Sequence, residues 1–154
     1  MRTQTLGAPV LLAGLLLTAS ACAQVNVNLP WVRATAQKST AVYLRIEAQA
    51  AAAVALVDAS SPAAKSAKII GPKGRPVEQL SVAAGSSLLL KPGSARILLS
   101  GVSQPLRRGE RLPLTLVFAV PGNPALSLDI SAEVVGPHDM SALDQEHTHH
   151  HHSH

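Results

Sequence analysis

The segment Leu126-Ser127-Leu128-Asp129-Ile130-Ser131-Ala132-Glu133-Val134-Val135 decides the fold class of this chain. Apolar and polar side chains alternate along its first eight residues, with the serines and the two acidic residues between the aliphatic ones. A period of two places the apolar side chains on one face of a β-strand and the polar ones on the other. The segment therefore predicts a half-buried strand, which is typical of a sheet with one face toward a core.

Shorter apolar runs rich in β-branched residues precede this strand. They occupy residues 25–29, 41–47, 54–57, 68–70, 87–90, 96–99 and 112–120. Proline and glycine turns separate them at short intervals, as at Gly71-Pro72 and Lys91-Pro92-Gly93. The Ala-rich stretch 48–55 lies between strand-like runs and is interpreted as a loop or turn. About eight short strands at this spacing predict an all-β fold, an antiparallel β-sandwich or Greek-key barrel.

The length and composition suit one domain and exclude several functions. The chain has 154 residues, of which 47% are hydrophobic, 14% charged and 2% aromatic, which fits a single core and not a disordered chain. The formal charge is +4, without a dense basic stripe. Because the aromatic residues are limited to Trp31, Tyr43 and Phe118, there is no stacking platform for bases, and nucleic-acid binding is not expected.

Residues 1–23 have the pattern of a signal peptide. Arg2 supplies the positive charge, residues 6–18 carry none, and Ala21-Cys22-Ala23 provides small residues at the −3 and −1 positions. We expect cleavage before Gln24 and export to the periplasm. The apolar run of about 13 residues is shorter than the ~20 that cross a bilayer as a helix, so no transmembrane segment is expected after signal cleavage.

Cys22 is the only cysteine and leaves an alternative open. In Ala19-Ser20-Ala21-Cys22 it could be the lipidated first residue of a lipoprotein, although Ala19 stands where such signals usually have Leu. Cleavage after Ala23 would leave a mature chain without thiols, which excludes disulfides and Cys nucleophiles. Since no histidine precedes residue 138 either, Ser-His and Cys-His arrangements are excluded from the predicted sandwich, and we do not expect an enzyme.

A compositional break at Gly136-Pro137 divides the mature chain into a sandwich, residues 24–135, and a flexible His-rich tail, residues 136–154. All seven histidines lie in this tail, and imidazole binds copper, zinc and nickel well. The candidate metal ligands are His138, Met140, His147, His149, His150, His151, His152 and His154. An added purification tag is an alternative, but the longest uninterrupted histidine run has four residues and Thr148 and Ser153 break the tract.

Several short motifs occur in a fixed order along the sandwich. They are Pro30-Trp31-Val32-Arg33-Ala34, Ala59-Ser60-Ser61-Pro62-Ala63-Ala64, Arg75-Pro76-Val77, Leu90-Lys91-Pro92-Gly93 and Leu114-Thr115-Leu116-Val117-Phe118. In this order and spacing the chain resembles the periplasmic copper chaperones called PCu(A)C over residues 25–135. The resemblance implies a cupredoxin-like β-sandwich.

The same resemblance implies a Cu(I) site of two His and two Met, and this chain departs from it at every position. The first His falls near Ile70, the first Met would be Gly74, and the His-x-Met pair reads Arg96-Ile97-Leu98. Arg96 is a permanent cation and would repel a copper ion. The resemblance therefore supplies the fold, whereas the function must be argued from the site.

The resulting hypothesis is a periplasmic copper-binding, copper-chaperone-like protein that holds the metal mainly through the tail. Its partners would be the metal ion and a periplasmic or membrane cuproprotein, such as a partner in the assembly of a cytochrome oxidase copper site. Zinc or nickel buffering is an alternative, as is a protein-interaction module without metal. Trp31 is interpreted as a cap on one end of the core, with partner docking as the alternative. Lys68, Lys73, Arg75 and Arg96 are interpreted as a solvated basic rim.

Overall fold

The chain forms nine β-strands within the residues that the structure, a computed structural model, describes, namely 25–49 and 52–136. The strands are β1 (Val25–Arg33), β2 (Ser39–Ala48), β3 (Val54–Ser60), β4 (Ser66–Ile70), β5 (Leu80–Val82), β6 (Ser87–Leu90), β7 (Arg96–Ser100), β8 (Arg111–Ala119) and β9 (Leu126–Val135). The predicted all-β class is confirmed.

All strands belong to one sheet with the order β4-β7-β2-β1-β9-β8-β3-β5, and β6 pairs with β2 beside β7. The sheet curls into a nearly closed barrel, the cupredoxin-like sandwich that was predicted. One pair departs from the expected antiparallel arrangement, because β1 and β9 run parallel. This pairing brings the end of β9 beside the end of β1, where the Ala34 N–H donates to the Val135 carbonyl over 2.8 Å.

The core consists of the inward-facing side chains of strands whose residues alternate between the two faces. It is almost entirely aliphatic. In β2 and β8 every second residue is buried, and the buried set contains no polar or charged residue in the part of the chain that the structure describes. Phe118 is fully buried and is the one aromatic side chain in this core. Burial of these side chains, each worth about 1.5–3 kcal/mol, stabilises the barrel.

Most strands lie where the sequence predicts them. In β9 the residues from Ser127 to Glu133 alternate as expected, with the polar ones exposed. The strand β5, which pairs with β3, was not predicted, because its three residues give too little alternation to recognise. Ala48 belongs to β2 and Val54 to β3, so the predicted Ala-rich loop is shorter than expected.

A bulge interrupts β1 and changes which side chains face the core. The register with β2 shifts between Asn28 and Trp31, and Leu29 has a φ of 50°, in the left-handed region that L-residues avoid. Leu29 is 64% exposed, so it does not continue the inward face that Val25 begins. After the bulge Val32 is fully buried and Trp31 points to the opposite face.

Candidate metal centre

The positions that correspond to the PCu(A)C ligands lie at the edge of the sheet, on its outer face. Ile70 at the end of β4 pairs with Arg96 at the start of β7. Ile70 is only 3% exposed but does not belong to the core cluster. It is covered from outside by the loop that follows it, since Ile70 forms a bridge with Pro76 and the Val77 N–H donates to the Ile69 carbonyl. An aliphatic side chain thus lies near the position that the resemblance predicts for the first ligand.

The remaining positions are equally unsuited to copper. Leu98 lies two residues beyond Arg96 on the same face of β7, in register with Lys68 of β4. Gly74 lies in the turn of the covering loop with a φ of +78°, and no atom lies within 4 Å of where its Cβ would be. Ile70, Arg96 and Leu98 therefore lie close together at this corner of the sheet, while Gly74 is open to solvent. We call Ile70, Arg96 and Leu98 the β4–β7 corner.

The corner has neither the donor atoms nor the charge that a metal requires. Within residues 25–49 and 52–136 no group of three or more His, Cys, Asp or Glu residues is close enough to hold an ion. Lys68, Lys73 and Arg75 near the corner are exposed, as the predicted solvated rim requires, whereas Arg96 is half-buried. A corner of cations and aliphatic side chains repels Cu(I) and Cu(II) alike.

The predicted tail ligands lie outside the described residues. These are His138, Met140, His147, His149, His150, His151, His152 and His154. The structure describes the chain up to Gly136, immediately after β9. The metal-binding tail therefore stays a prediction, as do the signal peptide and the lipidation of Cys22.

Trp31 does not cap the core, contrary to the interpretation from sequence. It pairs in register with Tyr43 on the outer face, and the two rings are 4.5 Å apart at their centroids with an interplanar angle of 36°. Both rings are half-buried. The bulge in β1 is the cause, because it reverses which residues face outward. Two of the three aromatic residues of the chain thus lie side by side on the surface.

Arginines and an exposed leucine surround this aromatic pair. Arg45 follows Tyr43 on the outer face of β2 and pairs with Leu89 of β6, which is 45% exposed. Continuing the register of Val42 with Ile97 by one residue places Arg96 beside Tyr43. We call these five residues the aromatic–arginine face: Trp31, Tyr43, Arg45, Leu89 and Arg96. It extends from the β4–β7 corner to β1.

Arg45 is a residue that the sequence analysis missed. Its Nε atom is buried and has no hydrogen-bond partner among the described residues. A buried N–H without an acceptor costs about 1–3 kcal/mol. The alternation of β2 places Arg45 on the outer face, but nothing in the sequence shows that its neighbours cover the Nε atom.

Asp129 is tied into the β8–β9 pair by a side-chain hydrogen bond. Asp129 accepts a hydrogen bond of 2.7 Å from the Thr115 hydroxyl, and both line a shallow open pocket of about 370 Å³ with Pro62 and Pro113. The Ser61 hydroxyl beside it donates to the Pro113 carbonyl over 2.7 Å. These side chains hold strands and turns together, and a single tied carboxylate does not make a hydrolytic site.

Comparison with solved structures identifies the fold as that of PCuAC domains. The apo PCuAC domain from PmoF1 has a TM-score of 0.67 and 26% identity, over 75% of this chain and 96% of that domain. The copper-bound PCuAC domain from PmoF2 gives 0.66 and 20%, over 75% and 95%. The CuI-DR1885 structure from Deinococcus radiodurans gives 0.56 and 24%, over 75% and 83%. The resemblance inferred from the sequence motifs is confirmed.

The sequence comparisons identify the family. The model of the family described as "Putative lipoprotein LpqE-like" matches residues 25–130, and the chain belongs to this LpqE-like family. A relative from Leifsonia xyli subsp. xyli (strain CTCB07), described as "Putative lipoprotein Lxx21020", is 30% identical over 103 residues. The match spans 62% of this chain and 62% of the length of that relative.

The described ranges contain no helix with the length and apolarity needed to cross a membrane.

Proposed function

We propose that this protein is an exported, copper-chaperone-like protein that binds copper mainly through the histidine-rich segment after β9. The proposal is supported by a contrast: the barrel has the fold of domains described as copper-bound, yet the β4–β7 corner has no donor atoms. All seven histidines follow the last strand instead.

The donor set after β9 suits copper on chemical grounds. Neutral imidazole is a good ligand for Cu(II), and affinity for nitrogen and oxygen sites rises toward copper and falls again at zinc. Asp139, Asp144 and Glu146 supply negative charge near the histidines, which favours a divalent cation. Met140 adds one thioether that suits Cu(I). In this proposal the barrel carries the metal-binding segment and delivers copper to a periplasmic or membrane cuproprotein.

The decisive experiment is a copper titration of two chains that both begin at Gln24. One ends at His154 and the other at Gly136, which keeps all nine described strands. We expect the shorter chain to bind Cu(II) at least about 100-fold more weakly, equivalent to about 2.8 kcal/mol. Equal copper affinity of the two chains would overturn the proposal. Competition with zinc and nickel on the longer chain then identifies the preferred metal.

A matched variant distinguishes the contribution of the histidines to copper binding from that of the other residues in the segment. Replacing the six histidines from His147 to His154 by Gln keeps the length and carboxylates but removes most imidazoles. If imidazole nitrogen is the ligand, this variant binds copper as weakly as the chain ending at Gly136. Full copper affinity in the variant would assign binding to carboxylates or to Met140 and His138.

Export and anchoring belong to the same proposal. The family and the Leifsonia relative are both described as lipoproteins, which favours Cys22 as a lipid-bearing N-terminus over cleavage after Ala23. We expect Cys22→Ser to move the protein from the membrane fraction to the soluble fraction. An unchanged distribution, together with an N-terminus at Gln24 by mass spectrometry, would contradict lipidation.

A further inference from the structure

We propose that the aromatic–arginine face is the docking surface for the chain's own C-terminal segment, residues 137–154. Three observations carry this inference: the composition of the face, the place where the described chain ends, and the charge of the residues beyond it. The inference goes beyond the proposed function and does not depend on copper being bound.

The face has the composition of a binding surface. Trp, Tyr and Arg dominate the energetic centres of interfaces, because they combine large apolar area with directed hydrogen bonds. Here the rings of Trp31 and Tyr43 pack against each other at a tilt, and Leu89 adds 45%-exposed aliphatic surface beside Arg45. In a chain with three aromatic residues, placing two of them on the surface leaves apolar area that a partner can cover.

The half-buried side chain of Arg45 indicates the chemistry of the occupant. Guanidinium groups bind carboxylates through two parallel N–H···O hydrogen bonds. Arg45 is half-buried beside Leu89, and Arg96 provides a second cation one residue beyond the Val42–Ile97 pair. Glu133 is also on this face, but it is in register with Arg111 on the far side of β9. An occupant with apolar and carboxylate side chains fits the face.

Residues 137–154 have this composition. They contain three carboxylates, Asp139, Asp144 and Glu146, and neither lysine nor arginine. Met140 and Leu143 lie among these carboxylates as the large aliphatic side chains. Apolar anchors flanked by negative charges complement an aromatic surface flanked by arginines.

The described chain ends next to the face. Val135 pairs with Arg33 on β1, two residues beyond the pair of Trp31 with Glu133. From β9 to β7 the chain must cross three strand spacings of about 4.8 Å. An extended chain covers that distance in about five residues, so Asp139, Met140 and Leu143 are close enough to reach Trp31, Tyr43 and the arginines.

A tethered segment needs only weak contacts to dock. Because the barrel and the segment are one chain, the effective concentration of the segment at the face is in the millimolar range. Docking of residues 139–146 would hold the following histidines against the barrel near the β4–β7 corner. The metal ligands would then lie beside the positions where the PCu(A)C pattern has its own.

Trp31 reports on docking directly, because it is the sole tryptophan and lies on the face. We compare metal-free chains that begin at Gln24 and end at His154 or at Gly136. Quenching by acrylamide scales with exposed ring area, so removing the segment should raise the quenching constant roughly twofold and shift the emission to longer wavelength. Salt at about 0.5 M should have the same effect on the longer chain, since it screens the carboxylate–arginine attraction.

Point variants identify the contacts. In the longer chain Arg45→Gln, and separately Asp139→Asn with Asp144→Asn and Glu146→Gln, should expose Trp31 as truncation does. Lys65→Gln removes one positive charge from an exposed position just before β4, four strands from β9 in the sheet, and should leave the emission unchanged. Because all these residues are exposed or half-buried or follow β9, their replacement should leave the fold intact, which circular dichroism checks.

Two results would overturn the inference. One is identical Trp31 emission and quenching in the two chains. The other is shielding of Trp31 that rises with protein concentration and is the same in both chains, which would assign the face to a second copy. Replacing the histidines from His147 to His154 by Gln should abolish copper binding and leave Trp31 shielded, so this docking and the proposed copper function can fail independently.

Discussion

The β4–β7 corner and the segment after β9 differ in every property that matters for a metal. The corner is fixed by strand pairing and filled by Ile70, Leu98 and the half-buried Arg96. The segment has seven histidines and three carboxylates and follows the last strand. This difference indicates that the same fold can form with or without a metal site, because aliphatic side chains can fill the space that ligands would occupy.

The packing of the β4–β7 corner differs from that of a metal site. Loss of a ligand inside a packed protein leaves a buried polar partner or a cavity, and each costs stability. At the corner the loop after β4 covers Ile70, with the Gly71 N–H donating to the Arg75 carbonyl over 2.8 Å. Strand pairing and the covering loop therefore hold the corner through backbone hydrogen bonds.

The largest expected effect tests whether stability and metal binding belong to separate regions. Phe118 is fully buried and pairs with Leu56 and Leu126, so Phe118→Ala should lower the free energy of unfolding by about 3–5 kcal/mol. Urea denaturation measures this loss. At a temperature where the variant is still folded, its copper affinity should equal that of the parent chain.

Leu89→Ala is the matched control for the core, because Leu89 is 45% exposed. Its effect on stability should stay within about 0.5 kcal/mol. A fall in copper affinity for folded Phe118→Ala would show that the barrel contributes to the metal site, and the comparison between corner and segment would fail.

The second prediction concerns pH, since all imidazoles lie after residue 137. Protons compete with metals for imidazole, whose ordinary pKa is about 6.5, so copper binding must weaken as the pH falls through that value. With at least two imidazole ligands, lowering the pH from 7.5 to 5.5 should weaken Cu(II) binding by about 100-fold. Isothermal titration at both pH values measures this change.

The control for the pH prediction is the unfolding of the chain that ends at Gly136. It contains no histidine, so its stability should be nearly the same at the two pH values. Copper binding that does not change with pH would assign the metal to the carboxylates or to Met140.

The third prediction is that metal ligands introduced at the β4–β7 corner give the barrel itself a copper site. In the chain ending at Gly136, Ile70→His, Arg96→His and Leu98→Met place two imidazoles and one thioether on neighbouring strands, at positions already in register or two residues apart. We expect Cu(I) affinity to rise at least about tenfold, because soft and imidazole donors replace a cation and two aliphatic groups.

Two variants sharpen this reversal. Arg96→Gln alone removes the positive charge without adding a ligand, and its copper affinity should stay low. Gly74→Met would add the fourth PCu(A)C ligand, but at a φ of +78° a side chain costs about 1 kcal/mol or more. No gain of copper affinity in the triple variant would show that the corner has lost the geometry as well as the donors.

The sequence was sufficient to predict the barrel but not its outer face. Alternation in β9 and proline–glycine turns indicate half-buried strands at the right places, because burial on one face imposes a period of two. The short β5 escapes this rule, as three residues give one alternation. That Ile70, Arg96 and Leu98 stand where the PCu(A)C pattern has ligands is inferred from the motifs and stays a prediction, since it depends on residue identity and order alone.

The face on which Trp31 lies could not be predicted from the sequence. A strand read without interruption puts Val25, Val27, Leu29 and Trp31 on one face, which suggests an aromatic residue at the core. The bulge inserts a residue opposite β2 and reverses the faces. The reversal is visible only in the pairing register of β1 with β2. The unpaired Nε of Arg45 likewise depends on how the neighbouring side chains pack.

The smallest expected effect concerns the bulge, which separates the aromatic–arginine face from the core. Leu29 is 64% exposed and has a φ of 50°, so its side chain contributes little burial and its backbone is strained. Asn tolerates this conformation because its short polar side chain can hydrogen-bond locally. In the chain ending at Gly136, Leu29→Asn should therefore raise the free energy of unfolding by about 0.5 kcal/mol, as measured by urea denaturation.

Leu89→Asn provides the control for Leu29, because Leu89 is also an exposed leucine of the outer face but lies in a paired position of β6. It should lower stability by a few tenths of a kcal/mol through poorer strand propensity. If Leu29→Asn were destabilising too, Leu29 would make contacts that its exposure does not suggest. If Leu29→Asn is stabilising, the native Leu29 is strained and exposed at a cost in stability. Such a cost is expected at a surface used for binding, where backbone strain is often found.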